Sequence, residues 1–213
     1  MVNEIIFLRH GIRLDVDDNK YCRHYLKRKK DIPLSHRGII QAEETGEFLK
    51  KENVDYIFCS PFFRTLQTAQ EVAEKLDKSF NIEHGFIEHL NQDWFPDYPE
   101  TISKEEALSI FPNVNPNYES LVRPTYPEID YEVDVLNRVK KTLDAIMENY
   151  DGTILVVGHW ASAESGAKAL MYPEPLDGFN FKMCALNKYV RSNDKWTFAY
   201  GSTEHLSEES LLN

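Results

Sequence analysis

The sequence predicts an α/β fold, a three-layer sandwich in which helices flank a mostly parallel central sheet. Two observations predict it: short, largely apolar runs recur along the chain, and amphipathic helical patterns lie between them. The chain has 213 residues, 42% of them hydrophobic, which is enough for one sizeable core. We therefore expect a single domain over residues 1–202.

Three apolar runs are predicted to be strands, namely residues 4–9, 54–59 and 153–157. Their low polarity is typical of parallel strands that helices cover on both faces. Arginine and histidine residues follow the ends of these runs: Arg9, His10, Arg64 and His159. Because ligands bind beyond the carboxyl ends of parallel strands, we expect these side chains to meet at one edge of the sheet.

Apolar stripes at helical spacing predict helices between the strands, over residues 36–51, 62–77 and 131–149. Ser35 is placed to cap the first of them, and Ser103 begins a capping box before a shorter helix. The stretch 91–127 is rich in Pro, Asn and aromatic residues, so we predict an insertion or lid there. The acidic end, 203–213, is predicted to be a flexible tail.

Composition and charge exclude several classes of partner. Lys and Arg number 24 against 35 Asp and Glu, and the resulting net charge of −11 argues against a nucleic-acid partner. No stretch approaches the ~20 apolar residues that span a bilayer, so no membrane partner is expected. The three cysteines, Cys22, Cys59 and Cys184, are odd in number and widely spaced. This pattern is typical of reduced thiols in a cytoplasmic protein, with no metal site.

The positive side chains expected at the strand ends form a cluster that is unusual in so acidic a protein. Two histidines and three arginines (Arg9, Arg13 and Arg64) gathered at strand ends would repel one another unless an anion lay among them. Guanidinium groups match the oxygens of a phosphoryl group in geometry and in charge. Arginines on both sides disfavour the protonated form of His10, which can then act as a nucleophile. The basic run 23–30 is more simply a solvated loop than a guide for anions.

Three motifs in order carry a family resemblance: FLRHG at 7–11, SPFFRTLQTA at 60–69 and VVGHWAS at 156–162. They resemble the histidine phosphatase superfamily, the phosphoglycerate-mutase-like group. PLSHRG at 33–38 resembles a further stretch of that family, and the likeness extends over almost the whole chain.

Further residues narrow this resemblance. Arg13, the segment 83–88 and the segment 122–124 resemble the suppressor-of-T-cell-receptor-signalling and ecdysteroid-phosphate phosphatases. Members of that group act on phosphorylated proteins or small molecules, so phosphotyrosine and steroid phosphates are the implied substrates. A homodimer is implied in the same way.

The resemblance also assigns roles to residues. His10 would become a phosphohistidine, and Glu88 would be the general acid and base. Arg9, Arg13, Arg64 and His159 would bind the phosphoryl group, with His159 donating a hydrogen bond as an imidazolium. No metal or other cofactor is implied, because the guanidinium groups supply the positive charge.

Two alternatives stay open at this point. One is a phosphoglycerate-type mutase. The other is a non-catalytic module that binds phosphorylated ligands, because Ile12, His84 and Trp160 depart from the family pattern. Trp160 can narrow the pocket, stack on an aromatic leaving group or fill the core, and core filling is the favoured expectation.

Overall fold

The computed structural model describes residues 1–17 and 27–211, and a six-stranded sheet forms its centre. The strands are β1 (Val2–Arg9), β2 (Tyr56–Cys59), β3 (Phe80–Ile82), β4 (Gly152–Gly158), β5 (Leu186–Ser192) and β6 (Lys195–Ser202). Their order in the sheet is β3-β2-β4-β1-β5-β6. The first four neighbours in that order are parallel, whereas β5 runs antiparallel to β1 and β6 antiparallel to β5. The predicted mostly parallel sheet is confirmed.

The helices are α1 (Leu14–Asp17), α2 (His36–Leu49), α3 (Phe63–Leu76), α4 (Lys104–Ile110), α5 (Leu136–Asn149), α6 (Trp160–Met171) and α7 (Glu208–Leu211). A 3₁₀ turn, His84–Phe86, follows β3, and a π-helical turn, Tyr131–Val135, precedes α5. Ser35 caps α2 by accepting from the Gly38 N–H at 3.0 Å, as its sequence position predicts. Ser103 likewise caps α4. None of the described helices is both long and apolar enough to cross a bilayer.

Alternation along β1 builds the three layers. Side chains of successive strand residues point to opposite faces of a sheet. Ile6 and Leu8 belong to the apolar cluster that includes residues of α2 and α3, whereas Ile5 and Phe7 belong to the cluster that includes residues of α5 and α6. All four side chains are fully buried. This arrangement leaves the carboxyl end of β1 open at one edge of the sheet.

Two expectations outside the sheet need correction. Residues 203–211 are not a free tail, because α7 packs on α2: Ser210 donates to Glu44 at 2.7 Å, and Gln41 donates to the Ser210 carbonyl at 2.8 Å. The basic run is not wholly a solvated loop either, since the Arg28 side chain is 10% exposed and forms ion pairs with Asp31 and Glu106. Residues 18–26 of that region, Cys22 among them, lie outside the described residues.

The predicted insertion, 91–127, contains one helix, α4, as expected. Ile102, Ala107 and Phe111 from this stretch belong to the core cluster on the α3 side of the sheet. The segment is thus anchored in the main core, and a role as a lid stays a prediction.

Candidate active site

The ends of three adjacent strands bring the predicted residues together. His10 follows β1, His159 follows β4 and begins α6, and Arg64 lies in the first turn of α3 after β2. The ring centroids of the two histidines are 5.4 Å apart, in an edge-to-face arrangement. All three residues are at most 3% exposed. The convergence that the strand ends predict is present.

His10 has a defined tautomer. Its Nδ1 lies 2.8 Å from the carbonyl oxygen of Gly11, and because a carbonyl oxygen only accepts, Nδ1 carries the hydrogen. Nε2 is left with its lone pair. The pKa of His10 lies well below its usual value, first because of burial and then because of the charges on Arg64 and Arg9. The ring is therefore neutral and keeps a lone pair on Nε2.

Two helices hold the loop that carries His10. The Gly11 N–H donates to Thr68 of α3 at 3.2 Å, and the Ile12 N–H donates to Gln41 of α2 at 3.0 Å. Gly38 packs so closely on this loop that a Cβ there would lie 2.2 Å from the carbonyl oxygen of Ile12. Only glycine fits at that contact, so α2 sets the height of the loop above the sheet.

Arg9 and Arg64 present unused hydrogen-bond donors. The Nε atoms of both are buried, and neither has a hydrogen-bond partner among the described residues. Burial lowers the pKa of Arg9 and lowers that of Arg64 to about 10. Buried donors without partners are uncommon in proteins, and a tetrahedral oxyanion between the two guanidinium groups would satisfy them.

His159 differs from its expected charge state. Its Nε2 is 2.7 Å from the hydroxyl of Ser60, and its Nδ1 is 3.1 Å from a donor nitrogen of Arg64. Burial, followed by the charge of Arg64, holds the pKa of His159 well below its usual value. In this arrangement the neutral ring accepts from Arg64, and the imidazolium expected beside a bound phosphoryl group stays a prediction. Ser60 was missed as a site residue, although its place at the end of β2 was the available signal.

Glu88 lies inside the cluster and Arg13 at its edge. One carboxylate oxygen of Glu88 is 3.4 Å from Nδ1 of His159 and 3.6 Å from Arg64. The side chain of Arg13 is 31% exposed and forms two hydrogen bonds with Asp15, both of 2.9 Å. Arg13 therefore contributes charge at the rim rather than a free guanidinium fork.

A cavity of about 660 Å³ opens over these groups, and Arg9, Arg13, Arg64 and Glu88 line it. Aromatic side chains line it as well: Trp94, Phe95, Tyr131 and Trp160. Trp160 is 51% exposed, and its indole contacts Phe181. The favoured expectation that Trp160 fills the core is wrong, because α6 begins at the edge of the sheet and directs its first side chain into the cavity.

The arrangement can therefore bind a tetrahedral anion beside a neutral imidazole, within reach of a carboxylate. Known proteins are similar to this chain in sequence and in fold. The family described as histidine phosphatase superfamily (branch 1) matches residues 5–202.

Individual relatives are distant. The transcription factor tau 55 kDa subunit of Saccharomyces cerevisiae is 26% identical over 100% of this chain, and the ecdysteroid-phosphate phosphatase of Drosophila melanogaster is 25% identical over 78% of it. This chain spans only 58% and 27% of their lengths. The structure of the ecdysone phosphate phosphatase from Bombix mori, in complex with tungstate, has the same fold, with a TM-score of 0.74, 22% identity and 92% of each chain covered. With the family matched over nearly its whole length, the chain belongs to the histidine phosphatase superfamily (branch 1).

Proposed function

We propose that this chain is a phosphatase that hydrolyses phosphate monoesters through a phosphohistidine on His10. One observation carries the proposal: Nε2 of a buried, neutral His10 has its lone pair free beside guanidinium groups whose buried Nε donors lack partners. Such a site offers a nucleophile and a cradle for the equatorial oxygens of a phosphoryl group. The guanidinium charges do the work that a metal ion does in other phosphatases, so no metal is needed.

The reaction proceeds in two displacements. Nε2 of His10 forms a bond to phosphorus while the bond from phosphorus to the ester oxygen breaks, and Glu88 gives a proton to that leaving oxygen. A water molecule then attacks phosphorus from the vacated side and gives its proton to Glu88. The bond between phosphorus and Nε2 breaks, inorganic phosphate leaves, and His10 regains its lone pair.

His159 takes two roles in this scheme. The neutral ring orients Arg64 through the 3.1 Å contact at Nδ1. A bound phosphoryl group brings negative charge next to the ring, and opposite charge favours the protonated form. In that state His159 exchanges its contact with Arg64 for a hydrogen bond to a phosphoryl oxygen.

The lining of the cavity favours an aromatic or steroid leaving group, phosphotyrosine included. Trp94 and Trp160 are each about half exposed (52% and 51%) and line the cavity together with Phe95 and Tyr131. Large aromatic surfaces pack well on flat, apolar ligands. Sugar phosphates would leave these surfaces uncovered.

The first test compares the native protein with His10→Ala on 4-nitrophenyl phosphate, with a metal chelator present. We expect His10→Ala to lose at least about 10³-fold in kcat, as removal of a nucleophile does in other enzymes. His205→Asn is a matched control, because His205 is a partly buried histidine that contacts Thr45 and Phe48 instead of the site. Radiolabelled phosphate should be trapped on His10 when turnover is quenched without acid.

Other outcomes would contradict the proposal. Equal rates for the native protein and His10→Ala would exclude His10 as the nucleophile. Transfer of label between glycerate phosphates without release of free phosphate would indicate a mutase. Tight vanadate binding without hydrolysis of aryl, steroid and sugar phosphates would indicate a binding module.

A further inference from the structure

We infer that Arg138 and Glu128 are positioning residues, whose ion pair fixes the backbone around Glu88 and so directs its carboxylate at the reacting oxygen. The inference rests on the proposed function, in which Glu88 is the general acid and base. Arg138 approaches Glu88 at its main-chain carbonyl oxygen, at 3.5 Å, so its effect on the carboxylate passes through the backbone.

The ion pair is buried and bidentate. Nε of Arg138, on α5, is 2.5 Å from one carboxylate oxygen of Glu128, and a second guanidinium nitrogen is 3.0 Å from the other. The two side chains are 5% and 1% exposed. Two parallel hydrogen bonds of this kind fix the guanidinium plane as well as its distance.

The pair holds the backbone on both sides of Glu88. Arg138 donates to the carbonyl oxygens of Gly85 at 2.7 Å and Ile87 at 3.0 Å, just before Glu88. Just after it, the N–H of Leu90 donates to the Glu128 carboxylate at 2.8 Å, and the Leu90 carbonyl accepts from the Glu128 N–H at 3.1 Å. The segment 85–90 is thus bound at its beginning and at its end.

Glu88 itself depends on this backbone for its orientation. Its carboxylate lies 3.4 Å from His159 and 3.6 Å from Arg64, which is longer than a well-formed hydrogen bond. Among the described residues, the hydrogen bond that it accepts comes from the His89 N–H at 3.1 Å, within the same segment. A shift of the segment would therefore carry the carboxylate away from the leaving oxygen.

Stability alone does not explain a buried ion pair such as that of Arg138 and Glu128. Apolar side chains of similar volume often stabilise a core at least as well, because two charges lose their hydration. Here the guanidinium group of Arg138 donates hydrogen bonds to Glu128 and to carbonyl groups of the segment that carries Glu88. Apolar packing does not place a catalytic group as accurately as directional hydrogen bonds do. Accuracy matters because small displacements of such a group reduce rates strongly.

The test uses two substrates that differ only in how much their leaving oxygen needs a proton. Phenyl phosphate has the more basic leaving group and depends on the general acid, whereas 4-nitrophenyl phosphate depends on it far less. For Arg138→Lys and Glu128→Gln we expect kcat/KM, which reports the steps through the first displacement, to fall by about 10-fold or more on phenyl phosphate and by less than about threefold on 4-nitrophenyl phosphate. Inhibition by vanadate should not change. Lys188→Met is the matched control, because it removes partly buried ion pairs with Glu4 and Glu52, and Lys188 lies opposite Ile6 of β1 instead of at the strand end that carries the site.

A double variant isolates the coupling. If Arg138 acts through Glu88, Arg138→Lys combined with Glu88→Gln loses no more on phenyl phosphate than Glu88→Gln alone. Equal losses on both substrates, or additive losses in the double variant, would overturn the inference. If Glu88→Gln lowers kcat/KM equally on both substrates, Glu88 is not the general acid, and the inference fails together with that assignment. If Arg138→Lys does not fold, Glu128→Gln carries the same comparison.

Discussion

Burial and neighbouring positive charge both lower the pKa of His10, and together they keep its imidazole neutral. Both effects disfavour an imidazolium: water is excluded, and Arg64 and Arg9 lie nearby. The same burial weakens the positive form of Arg64. A phosphoryl dianion would offset the positive charge of the arginines and leave the lone pair of His10 free. The site is therefore complementary to an anion that His10 can attack.

At the residue scale, Arg64→Gln tests this electrostatic coupling. Loss of the guanidinium charge raises the pKa of His10, while burial still holds it below its usual value. Because only neutral His10 attacks phosphorus in the proposed mechanism, the acidic limb of the pH profile of kcat/KM should move to higher pH. Arg191→Gln is the control, since Arg191 pairs with Asp194 at the far edge of the sheet. A limb that stays in place or moves to lower pH would contradict the coupling.

Individual residues differ in how well the sequence reveals them. Arg9, His10, Arg64 and His159 are predictable because each lies at a strand end or shortly after one, and parallel strands bring such ends together. The neutral state of His159 in this arrangement was not predictable, because the complete burial of the ring depends on tertiary packing that the sequence motif does not reveal. Arg138 and Glu128 were missed for the same reason: their meeting depends on how α5 packs beside the segment 85–90.

Among the elements, those with the clearest apolar patterns were predicted, namely β1, β2, β4, α2, α3 and α5. The strands β3, β5 and β6 were not predicted. The helix α6 is rich in Ala, Ser and Gly and has little amphipathic contrast. Its Gly166 lies so close to β1 that a Cβ would meet the Phe7 ring at 2.4 Å. Small residues there permit close helix–sheet packing, which a search for apolar stripes does not detect.

Contact between α2 and the His10 loop leads to a prediction about glycine. In Gly38→Ala the new Cβ would meet backbone at 2.2 Å, so the loop must move. We expect a loss of about 1–3 kcal/mol in the free energy of unfolding, together with a fall in kcat. Denaturant titration and kinetics measure the two effects.

Gly46→Ala, also on α2, is the matched control for that prediction. A Cβ at Gly46 would meet Cγ of Lys75 at 2.9 Å and the backbone of Val72 at 3.0 Å, contacts that are less severe than the one at Gly38 and lie on α3 instead of the His10 loop. It should cost less stability and leave kcat unchanged. A fall in kcat in both variants, or in neither, would mean that α2 does not set the position of the loop.

For the whole molecule, neutral buried histidines make stability depend on pH. The pKa values of His10 and His159 lie well below their usual range, and burial lowers that of His205 to about 4. In the unfolded chain a histidine binds its proton near pH 6.5. Between that pH and the folded pKa, the unfolded state holds more protons than the folded state, so stability falls as the pH falls.

The variant His205→Asn measures one of these contributions. Each such group adds at most ~1.4 kcal/mol per pH unit to the slope of the unfolding free energy between about pH 6.5 and its folded pKa. His205 is partly exposed, and solvent screening reduces its total effect to about 2 kcal/mol. Chemical denaturation at several pH values should therefore show a shallower acid slope in His205→Asn than in the native protein, with both slopes converging below pH 4. An unchanged slope between pH 6.5 and pH 4 would mean that His205 takes up its proton equally well in the folded and the unfolded chain.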